Sequence, residues 1–248
     1  MTNIISSISS TGVLHLQINR PEAKNALSLA MYQSLVDVLV QAEQDDKTKA
    51  VVISGNDQCF TAGNDLKDFL AGGELNEQHP TVKFLYCISQ FKKPIIAAVA
   101  GPAIGIGTTM LLHCDMVFAA QNSLFQLPFA QLGLCPEAGS SYLLTKQVGH
   151  QKAFELMVLG EKFDAQTAVQ LGIINQVTTE QEVINRALDK AKKLAQLPKE
   201  AVLVSKQLIK QQDVDNTQTA IKKELEHFQS LLNGDECKQI ISGFFKRK

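Results

Sequence analysis

The chain has 248 residues, 45% of them hydrophobic, which is enough to bury a sizeable core and suits one globular domain with a helical appendage rather than two independent domains. Lys and Arg number 24 against 25 Asp and Glu, so a net charge of −1 gives no electrostatic footprint for nucleic acid or an anionic membrane, and any anionic ligand has to be held locally. The five cysteines, Cys59, Cys87, Cys114, Cys135 and Cys237, are odd in number and form no CxxC pair, the pattern of a reducing compartment rather than of a disulfide framework or a zinc site. The opening MTNIISSISS has no basic n-region or long apolar core, and no apolar stretch reaches the roughly 18 residues of a membrane span. A cytoplasmic protein is expected.

Residues Ile4 to Ile8 and Val13 to Ile18 read as two strands of a hairpin around Ser10-Thr11-Gly12. From Ser28 to about Glu43, Met31, Leu35, Leu39 and Ala42 recur at helical spacing, with Ser28 as the N-cap. Ala50 to Ser54 is an apolar run closed by Gly55-Asn56-Asp57, as expected of a strand buried on both faces. A short helical stretch follows from Asp65 to Leu70, and a longer helix runs from Thr81 to Phe91. Pro94 ends that helix, Ile95 to Ala100 is the next buried strand, and another helix enters near Gly107. Alternating strands and helices imply a parallel sheet with crossover helices. After short strands at Val117–Ala120 and Ser123–Gln126, the chain reads as almost wholly helical, near 137–148, 150–159, 165–171, 181–196, 199–211 and 216–232. Leu197-Pro198 divides a core over 1–197 from a C-terminal helical region over 198–248. The apolar residues Leu225, Phe228, Leu231, Leu232, Ile240, Ile241, Phe244 and Phe245 in that region have to pack on a partner subunit or fold back over the chain's own ligand site.

Two loops follow buried strands. Gly101-Pro-Ala-Ile-Gly-Ile-Gly107 leads into a helix, where free amides and the helix dipole suit a phosphate or an oxyanion, although a tight packing turn explains it as well. It departs from the dinucleotide fingerprint, since Met110 stands where the third glycine belongs. In Phe60-Thr-Ala-Gly-Asn-Asp65, Gly63 permits a turn that aims the Asn64 amide into a cleft and Asp65 can cap a helix; an ordinary strand-to-helix turn is the alternative. Ligands of parallel sheets sit beyond the carboxyl ends of adjacent strands, and two N–H groups converging there make an oxyanion hole. Glu137, just after Pro136, is expected in the first turn of a helix over 137–148, a position that the dipole alone would favour. His113-Cys114-Asp115 reads as core packing and a cap, because neighbours on a helix do not face each other. His15, His79, His150 and His227 show no metal-ligand spacing, so no metal is expected.

The strings Asn19-Arg-Pro-Glu-Ala-Lys-Asn-Ala26, Phe60-Thr-Ala-Gly-Asn-Asp65, Lys93-Pro-Ile-Ile-Ala-Ala-Val-Ala-Gly101 and Gly105-Ile-Gly107, with Leu159-Gly160 and Leu171-Gly-Ile-Ile-Asn-Gln-Val177 behind them, resemble the enoyl-CoA hydratase/isomerase, or crotonase, family over nearly the whole chain. The resemblance implies an α/β fold built as a spiral of ββα units with a C-terminal helical trimerisation region, acyl-CoA thioester ligands, and a homotrimer or dimer of trimers. Coenzyme A would be part of the substrate, and no separate cofactor is implied. Mapped residue by residue, the oxyanion-hole amides fall on Asn64 and Ile106. The CoA contacts fall on Ala23, Lys24 and Ala26 in the first loop and on Ala62, Asp65 and Leu66 beside the thioester. Lys24 suits a phosphate, and equally suits a solvated surface.

The resemblance also carries departures. Where hydratases of the family hold two glutamates, this chain has Thr109 and Phe129, neither of which can shuttle a proton. Leu127-Pro-Phe129 and Leu132-Gly-Leu-Cys-Pro-Glu-Ala-Gly-Ser-Ser141 look like the branch containing peroxisomal-type 3,2-trans-enoyl-CoA isomerases, whose catalytic glutamate maps on Glu137. One carboxylate suffices for a 1,3-proton shift, and Phe129 would dry the pocket and raise the basicity of Glu137 against the helix dipole. The ending Phe245-Lys-Arg-Lys248 is no peroxisomal address, so the cytoplasm remains the expectation. Competing readings are enoyl-CoA hydration, thioester hydrolysis, a non-catalytic acyl-CoA-binding module and, least, a dinucleotide-dependent oxidoreductase.

Overall fold

In the computed structural model the described residues are 3–71 and 73–246, without the side chains of 69, 70 and 244–246, so the first two and last two residues and the side chains of Phe244 and Phe245 lie outside them. The apolar runs form strands β1 (Ile4–Ile8), β2 (Val13–Ile18), β3 (Ala50–Ser54), β4 (Ile95–Val99), β5 (Pro102–Ile104), β6 (Met116–Ala120), β7 (Leu124–Gln126), β8 (Phe163–Asp164) and β9 (Gln176–Thr178). The first two make the expected antiparallel hairpin, with Gly12 at φ 86° in its turn. The larger sheet runs β1-β2-β3-β4-β6-β9, parallel from β2 onward, and β5-β7-β8 form a second, smaller sheet. Three strands escape the sequence reading: β5, β8 and β9 have two or three residues each, too few for a period to show.

The helices are α1 (Leu29–Gln44), α2 (Leu66–Ala71), α3 (Pro80–Gln90), α4 (Ile106–Thr109), α5 (Ser140–Val148), α6 (His150–Phe154), α7 (Ala165–Gln170), α8 (Val183–Ala195), α9 (Lys199–Lys210), α10 (Val214–Asn233) and α11 (Asp235–Lys246). Ser28 caps α1 as expected, its Oγ accepting from Met31 N–H at 3.3 Å. The stretch expected as a helix over 150–159 is α6 continued by a π-helical turn at Glu155–Leu159. Among the described residues no helix is long and apolar enough to cross a membrane.

Period-2 alternation sorts the strands onto two cores. Val51, Ile53, Ala97, Val99, Val117 and Ala119 face the main core with Leu35 and Leu39 of α1 and Phe84, Leu85 and Ile88 of α3. Their alternates Val52, Ile96, Ala98 and Phe118 meet Val183, Ala187, Ala191 and Ala195 of α8. That i, i+4 stripe is mostly alanine, which lets the helix lie close on the sheet. Two buried lysines tie the helices to the strand ends. Lys93 Nζ donates to Ala42 O and Asp45 O, both at 2.7 Å, satisfying carbonyls at the end of α1. Lys206 on α9 donates to Asp115 Oδ2 at 2.7 Å and to Lys93 O at 2.6 Å.

Beyond β3 and β4 the chain turns at once into a second layer, through isolated bridges Leu27–Asn64 and Thr61–Ala103 and through β5 beside β7. Strand, short strand or bridge, then helix is the repeating unit. The turns leave no space for a side chain: a Cβ on Gly101, at φ 66°, would lie 2.0 Å from Gln58 O. Gly101→Ala should therefore lower the unfolding free energy by about 3 kcal/mol or more in urea titration, while Gly243→Ala, whose Cβ meets nothing within 4 Å, should change it by less than about 1 kcal/mol.

Candidate functional site

The second layer brings the two glycine loops side by side. Phe60 N–H and Thr61 N–H both donate to Pro102 O at 3.1 Å, and Ile104 N–H donates to Thr61 O at 3.0 Å. The first loop joins them. Leu27 N–H donates to Gly63 O at 2.8 Å, Asp65 N–H to Leu27 O at 2.9 Å and Ala62 N–H to Lys24 O at 3.0 Å. Asn25, fully buried and in the left-handed region at φ 57°, clamps this junction through Nδ2 to Cys59 O at 2.7 Å. Ala23, Lys24, Ala26, Ala62, Asp65 and Leu66 thereby share one ridge. Lys24 itself is exposed. Asp65 is committed to structure, since Arg20 Nη1 donates to its Oδ2 at 2.7 Å and Lys67 N–H to its Oδ1 at 2.9 Å. Burial pushes its pKa upward, but the guanidinium and the N–H outweigh that and hold it below the usual carboxylate range.

Two backbone donors are left over in this ladder. Among the described residues neither Asn64 N–H nor Ile106 N–H reaches a protein acceptor, Ile106 being the first residue of α4 behind Gly105 at φ 56°. The Asn64 and Gly105 loops border one cavity of about 420 Å³, closed by Phe129, Leu134 and Phe228. Phe228 and Leu232 of α10 and Ile241 of α11 are buried against the chain's own core, so this part of the apolar C-terminal stretch folds back over the cavity, the second of the two expected placements.

Glu137 does not stand in the first turn of a helix, as the sequence led one to expect. Ala138 and Gly139 adopt left-handed φ values of 62° and 71°, and α5 starts only at Ser140. Glu224 of α10 takes the dipole position instead. Its carboxylate accepts from Gly139 N–H at 2.6 Å, from Ser141 N–H at 2.9 Å and from the Ser141 hydroxyl. Glu137 is left in the loop before α5, 4% exposed, with Oε2 at 3.5 Å from Asn64 Nδ2 and Oε1 buried without a protein partner among the described residues. Burial lifts its pKa from 4.5 to about 8; the Asn64 hydrogen bond opposes this and the charge of Glu224 adds to it. The helix dipole expected to counter the rise is absent from this residue. A carboxyl with a pKa near 8, held against Asn64 where that residue lines the cavity, can both take and return a proton.

Thr109 and Phe129 are buried as well, at 0% and 4% exposure, so no second carboxylate stands at those positions. His113, Cys114 and Asp115 are structural: His113 Nε2 donates to Ala138 O at 2.7 Å and burial depresses its pKa to about 4, while Asp115 Oδ2 accepts from Ile95 N–H at 2.7 Å and from Lys206. Among the described residues no group of three or more His, Cys, Asp or Glu gathers as a metal site. Sequence reasoning missed Tyr32, whose hydroxyl donates to Asn64 Oδ1, and Glu224. Each carried a signal: a phenol and a carboxylate on otherwise apolar helix faces need partners.

A spiral of strand, short strand and helix, with two glycine loops over one cavity, is the crotonase fold. The chain belongs to the enoyl-CoA hydratase/isomerase family, which it matches over residues 9–248. It is 32% identical to human enoyl-CoA delta isomerase 2 over 247 residues, covering 97% of this chain and 62% of that protein, and so spans less than two thirds of the relative's length. It is 34% identical to 2,3-dehydroadipyl-CoA hydratase of Escherichia coli (strain K12) over 239 residues, covering 95% and 93%. The crystal structure of an enoyl-CoA hydratase/isomerase from Pseudoalteromonas atlantica T6c superposes with a TM-score of 0.95 at 39% identity, covering 100% of this chain and 98% of that one.

The raised pKa of Glu137 has a thermodynamic signature. Between pH 4.5 and about 8 the folded protein holds a proton that the unfolded chain releases, so this group's stabilising contribution, complete below that window, is lost as pH rises through it. Glu137→Gln should consequently raise Tm more at pH 8.5 than at pH 5, measured by calorimetry. The same increment at both values would contradict the buried-carboxyl assignment.

Proposed function

We propose that the protein is an acyl-CoA double-bond isomerase that converts a 3-enoyl-CoA to the 2-trans-enoyl-CoA. The observation that carries this reading is the buried carboxyl of Glu137, its pKa pushed up to about 8, against the Asn64 side chain, with Thr109 and Phe129 where a hydratase would place its two glutamates. Glu137 removes the proton on the carbon alpha to the thioester, the electrons pass into a dienolate, and the same carboxyl returns a proton to the gamma carbon as the double bond moves. Charge developing on the thioester oxygen is met by the Asn64 and Ile106 N–H groups, each worth on the order of 3 kcal/mol to such a transition state. Phe129 keeps water from the intermediate. The ridge of Ala23, Lys24, Ala26, Ala62, Asp65 and Leu66 holds the CoA moiety, with Asp65 shaping it through its ion pair to Arg20.

Glu137→Gln is nearly isosteric and cannot accept the proton. It should lower isomerisation by roughly 100-fold or more while acyl-CoA affinity stays within a few-fold, with turnover followed by chromatography on a 3-enoyl-CoA series. Near-normal isomerisation in this variant would overturn the reading; 3-hydroxyacyl-CoA formed from 2-enoyl-CoA at a rival rate would favour hydration. Assembly is proposed as a homotrimer or dimer of trimers. Leu208 and Ile209 of α9, 57% and 77% exposed, offer an apolar face beside Leu197 that association would cover. Light scattering at micromolar concentration should give three or six chain masses, and a monomer would refute it.

A further inference from the structure

Tyr32 takes no part in the chemistry described so far, yet it is 1% exposed on the buried face of α1 and its hydroxyl is placed with care. Its ring is held by Phe84, with centroids 5.4 Å apart at 54°. The hydroxyl donates to Asn64 Oδ1. An amide is planar, so a donor fixed on its oxygen turns its NH2 group to the opposite side, and there Nδ2 lies 3.5 Å from Glu137 Oε2. Once Glu137 is ionised, the reversed amide would set Oδ1 against the carboxylate, acceptor facing acceptor. The two carboxyl oxygens of Glu137 are consequently unlike: Oε2 is tied to the amide, and Oε1 is buried with no protein partner.

We propose that Tyr32 is a positioning residue for the proton transfer: by locking the Asn64 amide it ties down Oε2 of Glu137 and leaves Oε1 as the oxygen that carries the proton. This rests on the reading of Glu137 as the base. Asn64 then serves the reaction twice, through its backbone N–H toward the thioester oxygen and through its side chain toward the base. The titratable groups facing Glu137 are Tyr32 from α1, Glu224 from α10 and Cys135 in the same loop. Glu224 pushes the Glu137 pKa up, and the phenol stays neutral because burial holds its own pKa well above 10. The Asn64 side-chain Nδ2–H is the contact that favours the ionised base. Its orientation is what Tyr32 controls.

Tyr32→Phe keeps the ring packing and removes only the hydroxyl. With a 3-enoyl-CoA substrate, kcat should fall about fivefold at pH 7 and return to within about twofold of the unsubstituted protein near pH 9.5, with KM unchanged. The ascending limb of the kcat profile should move to higher pH. A double variant Tyr32→Phe, Asn64→Leu should lose no more than Asn64→Leu alone, since both substitutions remove one contact. A loss of equal size at every pH, an unmoved limb, or additive losses would overturn the proposal. If Glu137→Gln abolishes turnover and the limb in Tyr32→Phe stays in place, this inference fails alone; if Glu137→Gln retains turnover, the functional reading fails with it.

Discussion

The architecture depends on turns at the carboxyl ends of the parallel strands that are too tight for any side chain. A Cβ on Gly55 would sit 2.2 Å from Cys59 O, and one on Gly101 2.0 Å from Gln58 O. Because the chain reverses so sharply, the segment after one strand lies against the segment after the next, and their backbones pair from Leu27 through Thr61 to Ala103. This second ladder is short. It runs out at Asn64, which lines the cavity, and at Ile106, next to the lining Gly105, and among the described residues neither N–H has a protein acceptor. Free donors beside the cavity thus follow from where backbone pairing stops, with no side chain needed to supply them.

A similar economy governs the acid. Isolating a carboxyl from water costs several kcal/mol when it is charged, and proteins avoid that cost by letting the group keep its proton. At Glu137 the avoidance is incomplete. One hydrogen bond from Asn64 leaves the carboxyl poised near pH 8 instead of locked in the neutral form. Two left-handed residues, one of them a non-glycine, keep it out of the helix that follows. An alanine at φ 62° is strained backbone, and it persists here because the His113 ring holds its carbonyl and Glu224 holds the N–H of the next residue.

Much of this was legible in the residues. The runs Ala50–Ser54 and Ile95–Val99 are apolar throughout and became central strands; Ser28 and the spacing of Met31, Leu35 and Leu39 gave α1 its start and its buried face. Gly63 and Gly105 marked both loops. What stayed hidden acts across long separations or over very few residues. The strands β5, β8 and β9 exist because neighbours lie beside them, as two or three residues have no pattern of their own. Glu137 was misplaced into a helix because Pro136 signals a first turn locally, whereas the real helix start is set by Glu224, 83 residues beyond Ser141. Tyr32 and Asn64 are likewise 32 residues apart, and the sequence offers only the hint that a buried phenol must find an acceptor.

One turn of α10 carries two residues with different duties. Glu224 caps α5 and sets the field at Glu137, and Phe228 forms part of the cavity wall. Four residues apart, they share one face of one helix. A shift of that helix that widened the cavity would also move a negative charge relative to Glu137. The width of the cavity and the acidity of Glu137 are therefore mechanically coupled through one helix face.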